Sequence, residues 1–255
     1  MNILILKLIL APVIIGSASL AGRKWGPAVS GWIVGMPLTS GPLIFFVALS
    51  HNVTFAANAA LGVISGGLSL VAYALTYAWL ATRYRWCIAL AGSFLVFTVS
   101  TTLLQSITFP LVPIFVAVCI AIGLGLRLMP TAAPEAGNTQ PGRWDIPSRI
   151  LIGTSFILLL TGSASFIGSR LTGLLTTVPL YVTILVIFAH RHQGPAAAAH
   201  VLRGLLYGLF AFAGFFLTLS LLIERAGIAV SFLSAISVTL AIQGTSLWIL
   251  RQKHE

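Results

Sequence analysis

Acidic side chains are almost missing from this chain: Glu135, Asp145, Glu224 and Glu255 are the only carboxylates in 255 residues. Acid–base hydrolysis, carboxylate-ligated metal centres and intramembrane proton relays all need such groups in clusters. These four fall in loops, at helix ends or at the terminus. An enzyme is therefore not expected, and neither a cofactor nor a metal is implied. Cysteine is nearly as scarce. Cys87 and Cys119 stand in separate apolar stretches without metal-like spacing, which reads as two packing or lipid-facing thiols. Charged residues of both signs make up only 7% of the chain, against about 25% in an ordinary soluble domain. That shortage excludes a soluble domain of any size.

What the chain has instead is long apolar runs: 58% of its residues are hydrophobic and its mean hydropathy is +1.04. A helix needs about 20 mostly apolar residues to cross the hydrocarbon of a bilayer. Cut at charges and turn residues, nine segments qualify, near 2–21, 28–49, 54–80, 86–104, 107–127, 147–167, 171–189, 197–223 and 227–250. None alternates with period two, so closed strands are a poor fit. The expected class is an all-α integral membrane protein with about nine transmembrane helices. The first run resembles a secretory signal, but cleavage after Ala21 would leave Arg23 and Lys24 at an external terminus, so the helix is read as retained.

Basic residues orient the spans, because short cytoplasmic loops hold Lys and Arg in excess. Eleven lie on one set of alternate connections: Arg23, Lys24, Arg83, Arg85, Arg127, Arg143, Arg149, Arg191, Arg203, Arg251 and Lys253. The other set holds Lys7, Arg170 and Arg225. This places the N-terminus outside and the C-terminus in the cytoplasm. The net charge of +10 is scattered singly rather than gathered in a stripe, so nucleic acid is not a partner and membrane lipids are. The sequence leaves open whether the chain forms a homo-oligomer.

The two halves resemble each other. Shifted by 142 residues, Gly31, Pro37, Leu38, Phe46, Ala56, Ala57, Gly62, Gly66, Leu75, Thr76 and Leu80 fall on identical residues from Gly173 to Leu222. An offset of five helices, an odd number, makes this an inverted-topology repeat. Residues 1–127 form the first unit with five helices, 128–146 a cytoplasmic linker rich in Pro, Gly and Ala, and 147–255 the second unit with four. The paired spacings Gly62–Gly66 and Gly204–Gly208 predict close crossing of the third and eighth helices.

Within the second span, GMPLTSGP (Gly35 to Pro42) places two prolines, two glycines and two hydroxyls in eight positions. Proline lacks the amide hydrogen and clashes with the preceding turn. TTVPLYVT (Thr176 to Thr183) repeats the central Pro in the second half. Broken helices at corresponding places of two repeats point to a central transport site. The candidate site residues are Pro37, Thr39, Ser40, Gly41 and Pro42, with Pro179, Tyr181 and Thr183 opposite. His200 and Arg203, three apart at the start of the eighth helix, are a separate candidate for cytoplasmic anion binding.

The stretch GLLTTVPLYVTILVIFAHRHQGPAAAAHVLRGLLYG, Gly173 to Gly208, resembles the short GlpM-type inner-membrane proteins of bacteria. They share a Gly, a Pro-containing broken helix, a polar loop with His and Gly, and a glycine-bearing helix. The resemblance implies a fused duplication of such a unit and a role in the bacterial envelope connected with extracellular polysaccharide, without chemistry to assign to residues. The expected function is a secondary transporter or lipid-linked carrier of the inner membrane, its substrate an unknown small or lipid-linked molecule. The alternative is a non-transporting scaffold or assembly factor.

Overall fold

In the computed structural model, which describes residues 3–38, 40–50, 53–107, 109–130, 146–152, 154–155 and 179–252, every regular element is an α-helix. In chain order these are α1 (Ile3–Trp25), α2 (Pro27–Val34), α3 (Ser40–Ser50), α4 (Val53–Ala81), α5 (Trp86–Gln105), α6 (Leu111–Leu128), α7 (Leu180–Gln193) and α8 (Pro195–Gln252). Residues 146–152 are helical as well. Among the described helices four are long and apolar enough to cross a membrane: α4, α5, α6 and α8.

One device is used twice to join helices. α1 ends in Arg23 and Lys24, and α7 in His190, Arg191 and His192, where positive charge suits the carbonyl end of a helix. Gly26 (φ 97°) and Gly194 (φ 87°) then turn the chain through a conformation that a Cβ would strain. Pro27 and Pro195 open the next helix at the position where a missing amide hydrogen costs nothing.

A straight helix of the 58 residues in α8 would reach about 87 Å, far beyond a bilayer core of about 30 Å. Gly227, non-helical at φ 74° and ψ 173°, divides it at the boundary expected between 197–223 and 227–250. The second arm folds back along the first. A Cβ on Gly214 would overlap Ile242, and Phe215 meets Phe232 edge to face at 6.0 Å between ring centroids.

α6 shows why the bundle belongs in lipid. Its stripe of Ile114, Val118, Ile122 and Gly125 is buried, whereas the stripe of Val112, Val116, Ile120, Leu124 and Leu128 is exposed. Both faces are apolar, so the outer one has no suitable solvent but hydrocarbon. α5 likewise exposes Ile88, Leu95, Val99 and Leu103. Inside, Ile64, Leu206 and Phe216 of α4 and the first arm of α8 are fully buried, as are Tyr73 and Tyr77, which α4 turns toward α7. α4 and that arm run antiparallel. Ser220 Oγ donates to the carbonyl of Ala57 at 3.4 Å, while Gly125 sits against both Val71 and Leu206.

The closest crossing joins α2 to α8. A Cβ on Gly31 would overlap the carbonyl oxygen of Val201, and one on Gly204 that of Ala28. One turn further on, a Cβ on Gly35 would lie 2.7 Å from Leu205 O and one on Gly208 2.7 Å from Trp32 O. The contacts advance together along both helices, so the pair is parallel, and two GxxxG stripes face each other. The expectation for Gly62 and Gly66 is corrected here: a Cβ at either would meet nothing within 4 Å. Gly204 and Gly208 do make a close crossing, but against α2. In lipid, where apolar contact alone drives no association, such backbone approach supplies the packing.

The basic connections gather at one end. Arg191 lies over Trp86 at 5.7 Å, Arg149 over Phe188 at 5.1 Å, and Arg203 Nη2 donates to Met129 O at 3.4 Å. Trp79 Nε1 donates to Leu128 O at 3.0 Å, and Arg23 shares a cleft with Arg149 and Gln193.

Candidate functional site

The break in the second span is real in backbone terms. α2 stops at Val34 and α3 starts at Ser40. The amides around the gap turn inward, Gly35 N to Gly31 O at 2.9 Å, Met36 N to Ile33 O at 3.2 Å, Leu38 N to Met36 O at 2.8 Å and Gly41 N to Pro37 O at 2.9 Å. Local bonds of this kind are what an interrupted helix needs where water is scarce. Pro37 and Gly41 are buried, and Ser40 and Pro42 half-buried. Thr39 lies outside the described residues. Gly41 faces α8, where a Cβ would stand 3.4 Å from Cζ of Phe215.

The second candidate set begins at Pro179, the buried residue that caps α7. Its carbonyl accepts from Thr183 twice, from the amide at 3.0 Å and from Oγ1 at 2.7 Å. Thr183 is buried, and its Oγ1 lies 2.8 Å from the hydroxyl of Tyr73. Because the Thr183 proton is already directed at Pro179, Tyr73 must be the donor in that pair. The result is a directed chain, Tyr73 to Thr183 to the Pro179 carbonyl, in an otherwise apolar interior. Tyr181 is half-buried beside Ile15, Leu180 and Ile184.

From Tyr73 a polar column continues toward the basic end. Tyr77, one turn along α4, has its ring 6.3 Å from that of Tyr73. Its hydroxyl lies 3.3 Å from Nδ1 of His190. Neither tyrosine was singled out by the sequence reading. The available signal was their spacing: two tyrosines four apart share one face of a largely apolar helix.

The two sets share a depth without sharing a partner. α2 has eight residues, so the break lies about 12 Å in from the basic end. Tyr73 stands eight residues before the end of α4 at Ala81, again about 12 Å. Thr183, ten residues before Gln193, lies about 15 Å in. Each of these distances is about half of the roughly 30 Å that a bilayer core measures. Yet the break faces Phe215 on α8, whereas Thr183 faces Tyr73 on α4. His200 and Arg203 are half-buried at the start of α8, with the Arg203 guanidinium at the Met129 carbonyl. Among the described residues no group of three His, Cys, Asp or Glu could hold a metal.

No protein-family model, no curated protein and no solved structure matches this chain.

Proposed function

We propose that the chain is a multi-pass carrier of the bacterial inner membrane, acting on a small or lipid-linked molecule. The observation that carries this reading is the mid-membrane polar layer. There, a helix interrupted at 35–39 and the Tyr73–Thr183–Pro179 chain lie at one depth between apolar walls. Hydroxyls and interrupted backbone at such depth are costly in hydrocarbon and useful for binding a neutral or anionic group. The antiparallel course of α4 and the first arm of α8 supports two inverted units, with nine spans in all. The gathering of basic residues at one end supports a cytoplasmic C-terminus and an external N-terminus. The likeness of Gly173–Gly208 to GlpM-type proteins adds an envelope role to the proposal.

In this arrangement Gly41 is closed against Phe215, so a carrier must open that contact. The test uses single cysteines at Ser40 and Tyr181, in a chain carrying C87S and C119S, labelled from each side of sealed vesicles with impermeant maleimide. Labelling of S40C from both sides, increased by F215A, is the expected result. The same Phe215 contact favours a second reading, a non-transporting scaffold whose kinked helices present a surface to a partner. Complete protection of both cysteines, unchanged by F215A, would decide for it.

A further inference from the structure

A cleft of about 400 Å³, its open mouth included, lies at the basic end between α1, α2, α7 and residues 146–152. Its polar lining is Ser19, Arg23, Ser30, Arg149 and Gln193, with no carboxylate among the described residues that line it. Arg149 is only 8% exposed, and Phe188 stacks under its guanidinium at 5.1 Å. A guanidinium has five N–H donors in a fork that matches the oxygens of a phosphate or carboxylate. Pro27 begins α2 at the cleft wall, so the positive end of that helix faces the same space.

Ser19 gives the independent sign. It is 4% exposed, it lines the cleft, and its Oγ has no hydrogen-bond partner among the described residues. Most buried serines here return their proton to a carbonyl three or four residues back, as Ser30 does to Pro27 O at 2.7 Å. A buried hydroxyl without a partner is unfavourable in an empty site and useful in an occupied one.

We infer that this cleft binds a phosphate-type oxyanion, held by Arg149 and Arg23, with Ser19 Oγ and the Gln193 amide completing its donors. The anion is either inorganic phosphate or the phosphodiester of an anionic phospholipid reaching in from the adjacent leaflet. Both present the same oxygens to the same donors. The inference does not depend on the carrier reading, since the cleft lies at the basic end and not at the mid-membrane break.

The test uses the full chain in a neutral maltoside detergent. In one arm inorganic phosphate is titrated and the shift in melting temperature recorded. In the other, retention of phosphatidylglycerol over phosphatidylcholine is measured by native mass spectrometry. A response to free phosphate identifies the soluble anion, and selective retention of phosphatidylglycerol alone identifies the headgroup. Either is expected to be lost in R149Q and R23Q and weakened about tenfold in S19A. Without anion, S19A should melt no lower than the parent chain, because it removes a hydroxyl that has no partner. That opposition between stability and binding separates a ligand contact from a structural one, and it holds even if R149Q fails to fold. No response in either arm would overturn the inference, as would an equal response in S19A and R23Q. So would phosphate binding that appears only in D145N, which would mean that the chain's own carboxylate fills the place.

Discussion

Alanine at Gly31 or Gly204 tests the α2–α8 crossing most directly. Each added methyl would claim the place of a backbone carbonyl oxygen, Val201's in one case and Ala28's in the other, and a carbonyl inside a helix cannot rotate away as a side chain can. At Gly35 and Gly208 the collision is milder, 2.7 Å from a carbonyl oxygen and 2.8 Å from the facing glycine Cα. Non-bonded contacts settle near 3.5 Å, so alanine there parts the helices by roughly 0.8 Å, and at Gly31 or Gly204 by about twice that. A gap of that size forfeits much of the dispersion along the seam. Overpacking costs about 1–3 kcal/mol, against a return of about 1 kcal/mol from the better helix propensity of alanine. The net expectation is a loss of about 2 kcal/mol at Gly31 or Gly204 and about 1 kcal/mol at Gly35 or Gly208. At Gly62 or Gly66, where a Cβ meets nothing within 4 Å, the outcome is a small gain. The pair G31A with G204A should cost less than the sum of the two, because the first methyl has already opened the seam for the second. Thermal unfolding in one detergent, followed by tryptophan fluorescence and by size exclusion of the heated sample, ranks the six variants. Parent-like melting of G204A, or an equal loss in G62A, would refute the reasoning.

The Tyr73–Thr183 chain predicts an asymmetry. Y73F removes a donor but leaves the Thr183 hydroxyl bonded to Pro179, and should cost about 1 kcal/mol. T183V leaves the buried Tyr73 hydroxyl with Ser93 as its remaining partner and should cost about 1–2 kcal/mol. The double variant should recover part of that loss, and detergent melting curves would expose the opposite order if the donor assignment is wrong. At Gly26, where φ is 97° and ψ 160° and no described atom lies within 4 Å of a new Cβ, alanine should cost about 1–3 kcal/mol through backbone strain alone. G26A and G227A, which meet the same conformational penalty without contact, should therefore lose similar amounts in the same melting assay.

How much was legible in advance differs from element to element. The break at GMPLTSGP was readable because proline and glycine act on their own backbone, within a turn of themselves. The division of the last long helix at Gly227 was readable for a similar reason, since charge and a glycine interrupt an apolar run there. Lys and Arg placement marked which connections meet at one end, and the contacts of Arg191, Arg149 and Arg203 agree with it. Partner choice was not readable. Gly204 and Gly208 announced a close crossing, but three GxxxG spacings compete for it, and that of Gly31 and Gly35 was obscured by the prolines that follow. Only the packed bundle set Gly31 and Gly35 of α2, rather than Gly62 and Gly66 of α4, against Gly204 and Gly208.

The sequence by itself therefore determined the class of the protein and the positions of its interruptions, because hydropathy, proline and glycine act locally and need no partner. The tertiary structure alone decided the rest. It chose which of the GxxxG stripes meet and gave Tyr73 a partner 110 positions away in the chain at Thr183. It also brought Ser19 and Arg23 of α1 to one cleft with Arg149 and Gln193 from distant segments. Each of these depends on how helices of nearly uniform apolar surface pack against one another, and in such a composition the pattern that selects a neighbour is carried by shape rather than by residue type.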